Sequence, residues 1–151
     1  LWQMGSFSGR SWEQAAILTV VLIPVTLYLC CFSRQMDMMT FGEEAAQTMG
    51  VDTKRVKLKL IVAASLLTGT AVCFTGTIGF IDLIAPHVAR KVFGPAHKYA
   101  LPVSVLFGGA FMVLADLTAR TLLAPTELPV GAVTALIGAP FFAWVYFKEK
   151  A

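Results

Sequence analysis

Four stretches of the chain, residues 14–33, 60–81, 99–115 and 128–147, contain no Asp, Glu, Lys or Arg. A helix needs about 20 apolar residues to cross a bilayer, and each gap approaches or meets that length. Only 14% of the 151 residues are charged and the mean hydropathy is +0.73, whereas soluble domains carry roughly 25% charged residues. A water-soluble globule is therefore excluded, and the expected fold is all-α: a polytopic helical bundle integral to the membrane. The chain opens on Leu1 and enters an apolar run almost at once, so it reads as a piece of something longer, with no identifiable signal peptide. Cys30, Cys31 and Cys73 lie inside apolar runs without His or acidic neighbours, which supports neither a disulfide framework nor a metal site.

Five spans are expected. The first covers about Trp12–Phe32, continuous despite Pro24, with Trp12 and Tyr28 suited to the interfaces. Residues 35–57 are polar, broken at Gly42 and Gly50, with a helix-forming EEAAQTM stretch between the two glycines. A second span covers about Leu58–Gly76. Thr77–Phe93 forms a weaker, broken span interrupted by Asp82, Pro86 and His87, and Gly94-Pro95 turn the chain. Tyr99–Leu123 is a long helix, Ala124–Pro129 turn again, and Val130–Phe147 is the last span.

Basic residues orient such a bundle, because Lys and Arg concentrate in cytoplasmic loops. With five spans, Arg34, Lys54, Arg55, Lys57, Lys59, Arg90, Lys91, Lys98, Lys148 and Lys150 share one side, ten of the twelve, against Arg10 and Arg120 on the other. Residues 35–57 and the C-terminal end are thus expected in the cytoplasm. The net charge of +3 reports topology, and no nucleic-acid partner is implied.

Three stretches, GTIGFIDLIAPHVAR (76–90), ADLTARTLLAPTELPVGAVTALIGAPFF (115–142) and FGEEAAQTMGV (41–51), resemble the permease subunits of ABC importers for iron-siderophores, haem and vitamin B12, the FecCD or BtuC type. The resemblance spans nearly the whole chain, and its ELPVG and TALIGAPFF segments are highly specific. It implies the C-terminal half of a ten-helix subunit that acts as a dimer with a second permease subunit in the cytoplasmic (inner) membrane. It also implies an ABC ATPase partner carrying the ATP and Mg, an extracytoplasmic substrate-binding protein, and no cofactor or metal on this chain.

Several residues invite a role, each beside a plainer explanation. Segment 35–57 is either a solvated loop or, as the resemblance implies, a pair of short coupling helices seated in an ATPase groove, with Met38, Met39, Thr40, Phe41, Gly42, Glu43, Glu44 and Ala45 as the contact. Gly42 permits the sharp turn, and Glu43 and Glu44 suit the dipole of the second helix. Asp116 and Arg120, four apart with the acid first, have the favourable order for an ion pair, and as charges within a span they are either a structural pair or a site. The resemblance implies that Arg120 also docks the external binding protein, with Asp116 orienting it.

Gly76 and Gly79 either allow close helix packing or form a flexible element beside the pathway. Gly131, Ala135, Gly138 and Ala139 lie near one helical face, which is either a dry seam or, by resemblance, part of the pathway lining. Pro86 is expected to kink its helix and His87 to hydrogen-bond a freed carbonyl, while His97 lies too far along the chain to form a metal motif with it.

The leading function is a permease component of an ATP-driven chelate importer that performs no covalent chemistry. An ion- or proton-coupled secondary transporter using Asp82, His87, Asp116 and Arg120 as a relay is the alternative. An intramembrane enzyme lacks any serine elbow, catalytic carboxylate pair or metal-ligand cluster in the sequence.

Overall fold

Caps and breakers divide the chain in the computed structural model, which describes residues 2–122, 126 and 128–150. A short 3₁₀ turn at Trp2–Met4 precedes helix α1 (Trp12–Cys31). Ser11 opens α1 with a capping box: its hydroxyl accepts from the Gln14 N–H, and the Gln14 side chain accepts from the Ser11 N–H. Pro24 stands inside α1 without ending it. Phe32 interrupts the ladder, and α2 (Ser33–Met39) follows at once.

Gly42 then separates α2 from α3 (Glu43–Thr48) with φ 108°. Gly50, at φ 86°, ends the segment, and the Asp52 carboxylate caps α4 (Thr53–Thr75) through the Arg55 N–H at 3.2 Å. Helices α5 (Ile81–Phe93), α6 (His97–Thr121) and α7 (Val130–Lys150) complete the chain. Half of the turn expected over Ala124–Pro129 (residues 124, 125 and 127), and the end of the span expected at Leu123, lie outside the described residues.

Four of these helices, α1, α4, α6 and α7, are long and apolar enough to cross a membrane. The stretch expected as a broken fifth span is helical only from Ile81, and 13 residues rise about 20 Å. Its shortening has a local cause. Gly76 takes φ 74° and Phe80 takes the left-handed φ 68°, so residues 76–80 cannot continue the ladder of α4 or begin that of α5. Non-helical backbone within a bilayer must be satisfied by protein. The N-terminal segment lies against this stretch: the Ser6 N–H donates to the carbonyl of Thr75, the last residue of α4, at 2.9 Å, and the Thr77 hydroxyl donates to the Gln3 carbonyl at 2.6 Å.

Neighbouring helices pack antiparallel. Lys59 of α4 lies over the Phe32 ring at the end of α1, and Gly108 of α6 meets Ala85 of α5. α7 runs alongside α5 in the same direction, with Gly138 against Phe80 and Trp144 beside Lys91. The buried residues are mostly small: Ala63, Ala85, Ala89, Ala100, Ala115 and Ala119 line the helix contacts, with Val130 and Val133 closing α7 on α6 and Ile84 the one larger buried side chain among the described residues. Lipid supplies no hydrophobic drive between helices, so close backbone approach through small side chains takes its place. α1 buries no residue, and large apolar side chains cover the outer faces of all four long helices. One end of the bundle collects α2, α3, the start of α4, the end of α5, the start of α6 and the end of α7, and with them most of the lysines and arginines; it is called the basic end below.

Candidate functional site

At the basic end, α2 and α3 form a bracket whose apex is residues 40–42. The Gly42 N–H donates to the Met39 carbonyl at 3.2 Å, and its own carbonyl accepts from the Ala46 N–H at 3.0 Å, so one residue closes both helices. Its φ and ψ of 108° and 152° are open essentially to glycine alone. Thr40, Phe41, Gly42, Glu43 and Glu44 are exposed, whereas Met38, Met39 and Ala45 are half-buried at the root. The Phe41 side chain is 80% exposed, an aromatic knob on an otherwise polar apex. Behind it α3 is anchored to α4: Glu43 pairs with Lys57, Gln47 Nε2 donates to the Thr53 hydroxyl at 3.0 Å, and Ala46 and Thr53 are buried.

The bracket is tied to the bundle by a contact that local patterns do not reveal. Asp37 of α2 accepts from the His97 backbone N–H at 2.9 Å and stands 2.5 Å from His97 Nδ1, across 60 residues of sequence. Ala96, at the N-cap of α6, has no side chain able to accept, so Asp37 supplies the missing cap from another helix. Burial pushes the Asp37 carboxyl up, but the His97 N–H, ring and charge together outweigh it and hold the group below the ordinary aspartate range. The carboxylate is therefore charged at neutral pH. The one available sequence signal was an acid inside a methionine-rich helix facing a helix start that lacks its own cap.

At the opposite end of α6, Arg120 Nε lies 2.9 Å from Asp116 Oδ2, as the spacing of four predicts. The Asp116 side chain is 24% exposed and that of Arg120 47%, so the acid is the sheltered partner. The contact engages Nε, and the Arg120 side chain remains about half exposed; a guanidinium held at Nε still has terminal N–H groups to offer a carboxylate from another molecule.

The glycines divide by what surrounds them. A Cβ on Gly131 would lie 2.2 Å from the Met4 carbonyl oxygen, and one on Gly138 would lie 2.3 Å from Phe80 Cβ. Both are close-approach positions within the chain, with half-buried Ala135 between them on the same face. Gly76 is buried and left-handed, and Gly79 has open space where a side chain would go.

Gly138→Ala is expected to destabilise the fold, because Phe80 is pinned in a left-handed conformation and cannot retreat; overpacking of this kind costs about 1–3 kcal/mol. Gly69→Ala, which meets nothing within 4 Å, should leave stability unchanged or raise it. Thermal unfolding in detergent compares the two, and equal midpoints would discount the contact.

His87 packs edge-on to Phe141 with ring centroids 6.0 Å apart, and among the described residues its ring makes no hydrogen bond, contrary to the expectation of a carbonyl partner. Asp82 and His87 line a cavity of about 400 Å³ between α5 and α7 in which Asp116 and Arg120 take no part. The four residues of the relay alternative are therefore not brought together.

Lipid-length helices with small-residue contacts, a glycine-hinged bracket at the basic end and an acid–arginine pair at the other mark a polytopic membrane protein. The chain belongs to the FecCD transport family, which it matches over residues 1–148. It is 44% identical over 148 residues to the vitamin B12 import system permease protein BtuC of Vibrio parahaemolyticus, covering 98% of this chain and 44% of that protein. It is 36% identical over 150 residues to the hemin transport system permease protein HmuU of Yersinia pestis, covering 99% and 45%. A solved structure described as an inward-facing conformation of a metal-chelate type ABC transporter superposes with a TM-score of 0.91 at 33% identity, covering 97% of this chain and 47% of that one. The chain thus spans less than half the length of these curated relatives.

Proposed function

We propose that this chain is part of the permease of an ATP-driven importer that moves an iron-siderophore, haem or cobalamin-type chelate across the cytoplasmic membrane. The observation that carries this reading is the bracket: an exposed aromatic knob on a glycine hinge, projecting from the basic end of an apolar bundle, is built to be gripped by another protein. In this reading an ATPase partner holding ATP and Mg seats Met38, Met39, Thr40, Phe41, Gly42, Glu43, Glu44 and Ala45. Asp116 and Arg120 receive an extracytoplasmic binding protein, and a second permease subunit completes the pathway. Gly76, Gly131, Ala135 and Gly138 keep the segments bordering that pathway close, and Gly79 leaves space beside it.

The basic end faces the cytoplasm, in keeping with the bias of lysine and arginine, and residues 77–93 complete a fifth crossing as a short non-helical stretch plus helix α5. The chain performs no covalent chemistry; the partner's ATP turnover supplies the free energy. The test is uptake by vesicles containing the assembled transporter, its ATPase and its binding protein, offered each chelate class in turn. Uptake that requires internal ATP supports the reading. Uptake that persists without ATP and collapses with the proton gradient would replace it with ion coupling.

A further inference from the structure

Helix α6 touches both candidate partner sites. Its first residue, His97, is clamped by Asp37 of the bracket, and its last turns carry Asp116 and Arg120. Its 25 residues span about 37 Å, the scale of a bilayer. Pro102 stands in its second turn and has no N–H to donate, so the turn from His97 to Leu101 is less well held by the helix's own ladder than those beyond it. The Asp37 carboxylate holds that weak turn from outside, through both the backbone N–H and the ring of His97. Any displacement of α2 therefore pulls on the start of α6 through a charge-assisted contact that is short and partly sheltered.

We propose that the Asp37–His97 clamp is the mechanical link by which movement of the α2–α3 bracket is passed along α6 to the Asp116–Arg120 pair. The inference rests on the importer reading above and adds a route within it. Asp37 and His97 are positioning residues: they act through the bracket and α6 and decide whether the two ends of α6 move together. Coupling between distant sites needs an element that both sites bias, and a single helix clamped at one end and bearing a docking pair at the other supplies one.

The test uses the full assembled transporter in lipid nanodiscs with its ATPase and binding protein. Two quantities are read: the stimulation of ATP turnover by the binding protein, and the change in binding-protein affinity when ATP is added. Asp37→Ala removes both contacts. His97→Ala keeps the backbone cap and loses the ring, and Asp37→Asn keeps an acceptor and loses the charge.

Asp37→Ala is expected to lower the nucleotide-dependent change in binding-protein affinity about tenfold, with the other two variants falling between it and wild type. The double variant Asp37→Ala/His97→Ala should be no worse than Asp37→Ala alone, since the two residues act as a unit. A merely structural role would lower thermal stability or loosen the ATPase without changing how affinity at the far end responds to nucleotide. If Asp37→Ala does not assemble, Asp37→Asn and His97→Ala decide: an unchanged nucleotide response in both overturns the clamp. A wild-type complex in which the binding protein neither stimulates ATP turnover nor responds to nucleotide would overturn the importer reading itself, an outcome distinct from failure of the clamp alone.

Discussion

Gly42→Val is expected to leave the partner ATPase turning over ATP while uptake falls by roughly 5- to 150-fold, the range of about 1–3 kcal/mol of lost coupling. Gly42 adopts a φ and ψ that cost an L-residue about 1–3 kcal/mol, and nothing within 4 Å of its Cβ position would clash. The penalty therefore falls on the backbone, and a backbone change at this residue reaches both helices because Gly42 closes the last turn of α2 and the first of α3. Phe41→Ala separates shape from contact. The side chain is 80% exposed, so its removal should weaken ATPase binding with little loss of fold stability. Uptake and ATP turnover measured on the same vesicles distinguish the two, and tight coupling retained in Gly42→Val would remove the bracket from the mechanism.

Arg120→Glu should reduce affinity for the binding protein by about 2 kcal/mol or more, roughly thirtyfold, since reversal turns an attractive fork into a repelling pair. It also places two carboxylates four residues apart on α6, with Asp116 the more sheltered. Arg120→Lys keeps the charge and loses the bidentate geometry, so a smaller defect is expected. Asp116→Asn weakens the hold on Nε without removing the guanidinium and should fall between them. Surface binding of the purified binding protein to the reconstituted complex ranks the series. An Arg120→Glu complex with unchanged affinity would make the pair structural only.

What was legible beforehand followed the range of each interaction. Four long helices could be read because exclusion of charge from hydrocarbon acts residue by residue along the chain. The bracket was legible through Gly42, whose conformation only glycine takes readily, and the Asp116–Arg120 pair through a spacing within one helix turn. The Asp37–His97 clamp was not, because 60 residues separate its halves and only the packing of α2 on α6 unites them. Where the helix begins within the stretch 77–93 was not legible for a similar reason. Phe80 is held left-handed where residues 76–80 pass beneath the N-terminal segment and α7, a constraint that helix propensity does not carry. His87 met an aromatic ring instead of a carbonyl, again a matter of which helix lay opposite.

The prevalence of alanine among the buried residues has a mechanical consequence. Long side chains locked between helices must leave one rotamer well and enter another before the helices can move, so such contacts tend to hold until they jump. A methyl group makes only a low ridge. Helices that meet through alanines slide past one another over small distances with every side chain keeping its rotamer, which is shear in its simplest form. The alanine-lined contacts of this chain are thus suited to serve as smooth bearings between helices, with many large apolar side chains turned outward where their rearrangement does not resist the motion.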